Sequence, residues 1–119
     1  MIEYEESDEF KKDLKKLAKR FISLPGDLQT VKKAVVELRH LLNIDNLSTF
    51  EIPGFHSENL SFWKIRKFAC RSLKGRGVKS GIRVIYSWCK SSSKVVFIEI
   101  YFKGDKENED KERINRYNV

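Results

Sequence analysis

Apolar and charged residues alternate at the start of the chain. Ile2 and Tyr4 alternate with Glu3 and Glu5, which is the period of a strand with one buried and one solvated face. The pattern predicts a short edge strand within residues 1–7.

Residues 8–44 show helical spacing of their apolar positions. Ser7, followed by two acidic residues, is typical of a helix N-cap. Pro25 and Gly26 predict the end of this first helix, and Asp27 is expected to cap a second one. The short connection predicts an antiparallel helix pair. The buried stripes are predicted to comprise Phe10, Leu14, Leu17, Ala18 and Phe21 in the first helix and Leu28, Val31, Val35, Leu38 and Leu42 in the second.

Residues 43–61 lack periodicity and contain Pro53 and Gly54, so we expect a loop. Three strands are predicted after it, and short connections make them an antiparallel meander within residues 62–102. The mixed charges of residues 103–119 indicate a short C-terminal helix or tail. The expected fold is α+β, with a small, mainly antiparallel sheet packed on the helix pair. The three strands are expected at 62–72, 81–90 and 94–102.

Composition favours one globular domain spanning residues 1–119. The chain has 119 residues, 40% of them hydrophobic, and no apolar run near the roughly 20 residues that span a membrane. We therefore expect a cytoplasmic protein. Cys70 and Cys89 are expected to be reduced and packed in the core. With only His40 and His56 as histidines, no metal site or cofactor is predicted, although His56 is a candidate general acid of an unrelated nuclease design.

Charge is unevenly distributed along the chain. The net charge is +7, yet residues 62–90 contain nine Lys and Arg residues and no Asp or Glu. Like charges held this close together repel one another unless an anion meets them. The segment therefore indicates a polyphosphate partner such as nucleic acid.

The period of two sorts these cations onto one face of the predicted sheet. Trp63 and Ile65 should face the helices, so Lys64 and Arg66 should face the opposite side. Arg83 begins the next strand and can lie beside them. We call Lys64, Arg66 and Arg83 the cationic cluster.

Fixed cations are sufficient for one kind of RNA cleavage, in which the 2′-OH attacks the adjacent phosphate. The protein must align the hydroxyl and stabilise the added charge of the transition state. Crowding by other cations is expected to bring the pKa of Lys64 toward neutrality.

Simple phosphate binding without catalysis is equally compatible with the residues. A non-catalytic RNA-binding domain would expose aromatic side chains for stacking. Trp63, Trp88 and Phe97 are expected in the core, while Tyr86 and Tyr101 are left open.

Three runs, WKIRK, SGIRVIYS and KVVFIEIYFKGDKENED, resemble the C-terminal half of the RelE/ParE toxin superfamily. The likeness is greatest to its RelE and HigB branches, which are messenger-RNA endonucleases, and the KGRG loop is closest to the HigB-like branch. The resemblance implies the toxin of a type II toxin–antitoxin system. Such a toxin enters the ribosomal A site, cuts mRNA and is held inactive by a cognate antitoxin.

The same resemblance implies roles for individual residues. Lys64 and Arg66 match the paired basic residues that contact the scissile phosphate and take part in proton transfer. Arg83 matches the arginine that stabilises the transition state, and Lys103 falls in the family's IYxK motif. The ParE branch, which inhibits DNA gyrase, needs no such cluster, so the cluster argues against that alternative.

Other positions match the family less closely. Lys106 lies near the basic residues that follow the motif, and Tyr117 is the nearest substitute for a RelE tyrosine that has no counterpart in GDKENED. The general base is therefore left open. The expected contacts to RNA and the ribosome are Lys67, Arg71, Lys74, Arg76 and Lys79.

Overall fold

A computed structural model describes residues 1–45 and 47–118, apart from the side chain of His56. Its centre is a five-stranded sheet with strand order β1-β5-β4-β3-β2. The fold is α+β, as the sequence predicts. The strands are β1 Glu3–Glu6, β2 Thr49–His56, β3 Leu60–Ile65, β4 Ile82–Cys89 and β5 Lys94–Phe102.

The sheet mixes one parallel pair with three antiparallel pairs. β1 runs parallel to β5, with Tyr4 opposite Val95. The pairs β2–β3, β3–β4 and β4–β5 are antiparallel. Parallel neighbouring strands need a long crossover connection. The connection from β1 to β5 begins with the helices between β1 and β2.

The N-terminal helices cover one face of the sheet, which we call the back. α1 spans Asp8–Ala18, and the Ser7 side chain caps it by accepting a hydrogen bond from the backbone N–H of Phe10 at 3.1 Å. The second helix begins as α2, Leu24–Val31, continues through a π-helical segment, Lys32–Glu37, and ends as α3, Leu38–His40.

The expected capping role of Asp27 is wrong. Pro25 lies in the first turn of α2, where its missing N–H costs nothing, so it belongs to the start of the second helix and does not end the first. The N-cap position belongs to Ser23. Asp27 is buried, and its carboxylate accepts hydrogen bonds from the Ser23 hydroxyl at 2.6 Å and Arg71 Nε at 2.7 Å.

The loop expected over residues 43–61 is also wrong in part, because β2 lies within it; Asn46 is outside the described residues. Thr49 pairs with Ile65 and His56 with Ser61, and the register shifts between those two pairs. Pro53 and Gly54 fall within this irregular stretch. β2 is an edge strand, where a proline and a bulge are tolerated.

The strand expected over residues 62–72 is shorter than predicted. β3 ends at Ile65, and the chain then forms a long loop with one isolated bridge between Phe68 and Lys79. Phe68 and Cys70 are nevertheless buried. These two residues are buried because the loop packs on the core. Their spacing of two is the same as in a strand, so the sequence pattern predicted one.

Apolar residues cover both faces of the sheet. The larger core lies between the back and the helices. The opposite face, the front, carries a smaller apolar cluster closed by α4, Lys111–Tyr117. The front therefore carries an apolar cluster beside its charged residues. The front apolar cluster comprises Ile52, Phe62, Ile85, Ile98, Tyr101 and Ile114.

Candidate functional site

The structure brings the cationic cluster together on the front. Ile85 is directly opposite Lys64, and Arg83 shares its face of β4 two residues earlier. Arg66 follows the end of β3, and its carbonyl oxygen accepts a hydrogen bond from Arg83 Nη1 at 2.9 Å. Burial, together with the charge of Arg66, lowers the pKa of Arg83 below its ordinary value. An anion bound here would relieve that repulsion.

Tyr101 lies at the centre of this surface. It is directly opposite Arg83 on β5, and the Nζ atoms of Lys64 and Lys106 lie 5.9 and 5.6 Å from its ring centroid. Its hydroxyl is buried and has no hydrogen-bond partner among the described residues. Burial raises the pKa of Tyr101 against the opposing effect of the Lys64 ammonium. The phenol therefore keeps its proton at neutral pH and has a hydrogen bond available to give.

Lys64 is paired with an acid that the sequence pattern did not place here. Its Nζ lies 2.8 Å from Glu109 Oε1, and both side chains are largely buried, at 19% and 11% exposure. Burial is the largest single influence and would lower the pKa of Lys64. The interactions with Glu109 and Tyr101, the hydrogen bond to Glu109 first among them, together outweigh it, so the pKa lies above its ordinary value. The expected pKa near neutrality is therefore wrong.

Glu109 stays ionised for the reciprocal reason. Burial is the largest single influence and opposes its charge. The hydrogen bond from Lys64, a backbone hydrogen bond and the charges of Lys64 and Lys111 together outweigh it and lower the pKa of the carboxyl group. The result is a carboxylate and an ammonium held in contact beside two arginines. That is a proton acceptor and a proton donor next to an anion-binding surface.

A second acid supports the segment between β5 and α4. Glu99, buried on β5, forms an ion pair with Lys106 and accepts a hydrogen bond from the backbone N–H of Asp110 at 2.9 Å. Asp110 in turn caps α4 through a hydrogen bond from the N–H of Arg113 at 3.1 Å. Glu109 is thus fixed by backbone contacts on its C-terminal side.

Comparison with known proteins bears on the fold. No protein-family model matches the sequence, and no curated protein matches it. A chain in the crystal structure of the archaeal RelE–RelB complex from Pyrococcus horikoshii OT3 superposes with a TM-score of 0.53. It shares 14% identity, and the match covers 87% of this chain and 96% of that chain. The chain has the RelE fold.

Within this RelE fold, Lys106 is a weaker candidate that lies beside Tyr101, with its Nζ 5.6 Å from the ring centroid. Lys103 is exposed just beyond β5, and its backbone N–H donates to the Gly81 carbonyl at 2.8 Å. Tyr117 lies on α4 and packs against the front apolar cluster. Tyr101, by contrast, is directly opposite Arg83 in the sheet.

Most cations of the predicted RNA-binding set are solvent-exposed on the loop between β3 and β4. Arg71 differs from the others because it forms an ion pair: its exposed guanidinium binds the buried Asp27 carboxylate. The positive charge of residues 62–90 is therefore partly compensated by acids from elsewhere in the chain. The exposed members without that constraint are Lys67, Lys74, Arg76 and Lys79.

Other sequence expectations have mixed outcomes. Cys70 is buried as expected, but Cys89 is partly exposed at the end of β4. Trp63 is buried, whereas Trp88 is only partly so. The side chain of His56, the alternative general acid, lies outside the described residues.

Among residues 1–45 and 47–118, no three His, Cys, Asp or Glu side chains form a group that could hold a metal ion. No helix in the described part of the chain is long and apolar enough to cross a membrane.

Proposed function

We propose that the chain is the toxin of a type II toxin–antitoxin system that cleaves mRNA in the ribosomal A site. The observation that carries this proposal is the convergence of Lys64, Arg83 and Tyr101 from three adjacent strands, with Glu109 held against Lys64. The RelE fold and the sequence resemblance support the same activity. The reaction needs no cofactor.

The proposed reaction is attack of the 2′-oxygen on the adjacent phosphorus. Glu109 accepts the 2′-OH proton, the new O–P bond forms, and Arg66 and Arg83 stabilise the added phosphoryl charge. The Lys64 ammonium gives its proton to the departing 5′-oxygen as that P–O bond breaks. The products are a 2′,3′-cyclic phosphate and a free 5′-OH. Proton transfer from Glu109 to Lys64 across their contact then restores the ion pair.

The proposed partners are the ribosome, its message and an antitoxin protein. The exposed cations of the loop, Lys74 and Arg76 among them, would meet ribosomal RNA phosphates in every state of the reaction. The structural neighbour was crystallised as a RelE–RelB complex, which favours a protein partner here also. An acidic antitoxin segment would mask the cluster by charge complementarity.

Single-turnover cleavage of a ribosome-bound message separates catalysis from binding. Arg83→Ala should lower the cleavage rate by about 10²- to 10³-fold with ribosome affinity little changed. The added negative charge on the phosphoryl group, which Arg83 stabilises, develops only in the transition state. Lys74→Ala and Arg76→Ala are the matched controls. They should weaken association and its salt dependence while bound message is cut at the normal rate.

Two results would replace this proposal. Equal losses of binding for all three variants, with unchanged cleavage of the bound fraction, would make the surface a non-catalytic RNA-binding site. Pulse labelling of cells expressing the chain alone tests the ParE-like alternative. DNA synthesis falling before protein synthesis would indicate gyrase as the target.

A further inference from the structure

A pocket of about 350 Å³ opens on the back of the sheet, away from the cationic cluster. It lies where the end of the second helix meets the far end of β4. Its volume is at the lower end of the range for small-molecule sites. The lining residues are Arg39, His40, Asn43, Trp63, Trp88 and Lys90.

Three aromatic rings form the floor of this pocket. His40 stacks on Trp88 with centroids 4.6 Å apart and meets Trp63 edge-on at 5.0 Å. A 2.8 Å hydrogen bond between His40 Nε2 and the buried Tyr86 hydroxyl fixes the imidazole. Thr49 Oγ1 contacts the same hydroxyl at 3.0 Å. The rings are therefore preorganised, and the indole of Trp88 remains partly open to solvent.

Two cations stand at the rim. The Arg39 guanidinium lies 5.0 Å from the Trp63 ring centroid, and Lys90 is exposed at the end of β4. Neither forms an ion pair with a carboxylate in the part of the chain that the structure describes. Burial, and then the charge of Arg39, lowers the pKa of His40 to about 4, so the ring is neutral near pH 7.

Aromatic surface beside unpaired cations suits one ligand chemistry. A purely structural aromatic cluster would be closed by apolar neighbours, whereas this one is open and bordered by Arg39, Lys90 and the amide of Asn43. We propose that this pocket binds a nucleotide, with its base against the open indole of Trp88 and its phosphate between Arg39 and Lys90. The Asn43 amide can donate to and accept from the edge of the base. The site is on the opposite face from the proposed nuclease centre and does not depend on that activity.

The chain offers a built-in probe for this site. Trp63 and Trp88 are its two tryptophans, so intrinsic fluorescence reports on the pocket. Purified full-length protein is titrated with adenosine monophosphate and, separately, with a single-stranded 2′-O-methyl hexaribonucleotide. The methylated strand cannot be cut through a 2′-OH, so binding is measured whether or not the chain is a nuclease. Saturable quenching by at least one of the two is expected.

Variants locate the binding. Lys90→Ala should weaken it about tenfold, whereas Lys33→Ala, which removes an exposed lysine from the same helix-bearing side, should leave it unchanged. Trp88→Leu should weaken binding of a fluorescently labelled hexanucleotide by about 5- to 150-fold, the range for loss of one stacking partner. Circular dichroism checks that this variant is folded.

The two ligands distinguish the source of the nucleotide. Tighter binding of the strand identifies RNA as the ligand, and equal affinities identify a free nucleotide. Absence of quenching with both ligands would overturn the proposal. Equal effects of Lys90→Ala and Lys33→Ala would also overturn it, since binding would then follow net charge and not this pocket.

Discussion

Lys64 Nζ and Glu109 Oε1 lie 2.8 Å apart although 45 residues separate them in the chain. The pair joins a central strand to the segment before α4. It changes the chemistry expected of the lysine, which stays protonated at neutral pH because its partner is ionised. The proton acceptor of the proposed reaction is then the carboxylate.

Glu109→Gln should lower the single-turnover cleavage rate by about 10²- to 10⁴-fold, the usual contribution of a general base. Ribosome affinity should not fall, because the change removes a negative charge from the proposed phosphate-binding surface. The amide keeps the shape of the side chain and a hydrogen-bond acceptor for Lys64. Glu107→Gln, an exposed position in the same segment, is the control and should cleave normally. Normal cleavage by Glu109→Gln would assign the base elsewhere.

Asp27→Ala should destabilise the fold by about 2 kcal/mol, because it leaves the partly buried hydrogen-bond donors of Ser23 and the Arg71 backbone without their acceptor. Arg71→Ala removes the other half of the ion pair but should cost under about 1 kcal/mol, since that side chain is 74% exposed. Urea unfolding of the two variants measures the difference. Equal losses would mean that the ion pair itself stabilises the loop.

Stability should fall as the pH is lowered from about 6.5 to about 4. The pKa of His40 is lowered to about 4 in the folded protein, so between these values the unfolded chain binds a proton that the folded chain excludes. The carboxyl groups with lowered pKa values, such as Glu109, begin to lose their contribution near the ordinary pKa of 4.5 and lose the rest as the pH falls further. The urea midpoint of unfolding is measured as a function of pH. In His40→Gln the midpoint should change less between about pH 6.5 and about pH 4. An unchanged slope would contradict the assignment.

Cys89 should react with iodoacetamide with a midpoint near pH 7. Hydrogen bonds from Ser91 and then Ser92 lower the pKa of its thiol to about 7. Cys70 serves as the internal control, because it is buried and should remain unmodified in the folded protein. Mass spectrometry of the labelled peptides identifies the site. Labelling of Cys70 first would show that its loop opens.

Local sequence patterns predicted the elements whose partners lie nearby. Ser7 caps α1 as expected, and the predicted bounds of β5 are those of the structure. The alternation that separates Trp63 from Lys64 also holds, with Trp63 in the back core. These features depend on spacing within a few residues, which the sequence displays directly.

Features that depend on distant partners were not predictable in the same way. β2 was missed because Pro53 and Gly54 interrupt its alternation, and only its pairing with β3 makes it a strand. Glu109 was missed because an acid in a highly charged segment looks solvated until α4 folds onto the front. The face of the sheet on which Tyr101 lies was not predictable either. A bulge in β5 shifts the alternation before Tyr101, and the sequence does not show that bulge.

The parallel pairing of β1 with β5 has a consequence for biosynthesis. Residues 3–6 are synthesised before residues 94–97, with which they pair. The proposed active centre likewise needs Glu109 on Lys64. A chain still being translated therefore has the cations of this centre but not their assembled geometry. The proposed nuclease therefore cannot cut the message from which it is itself being translated before Glu109 has been synthesised.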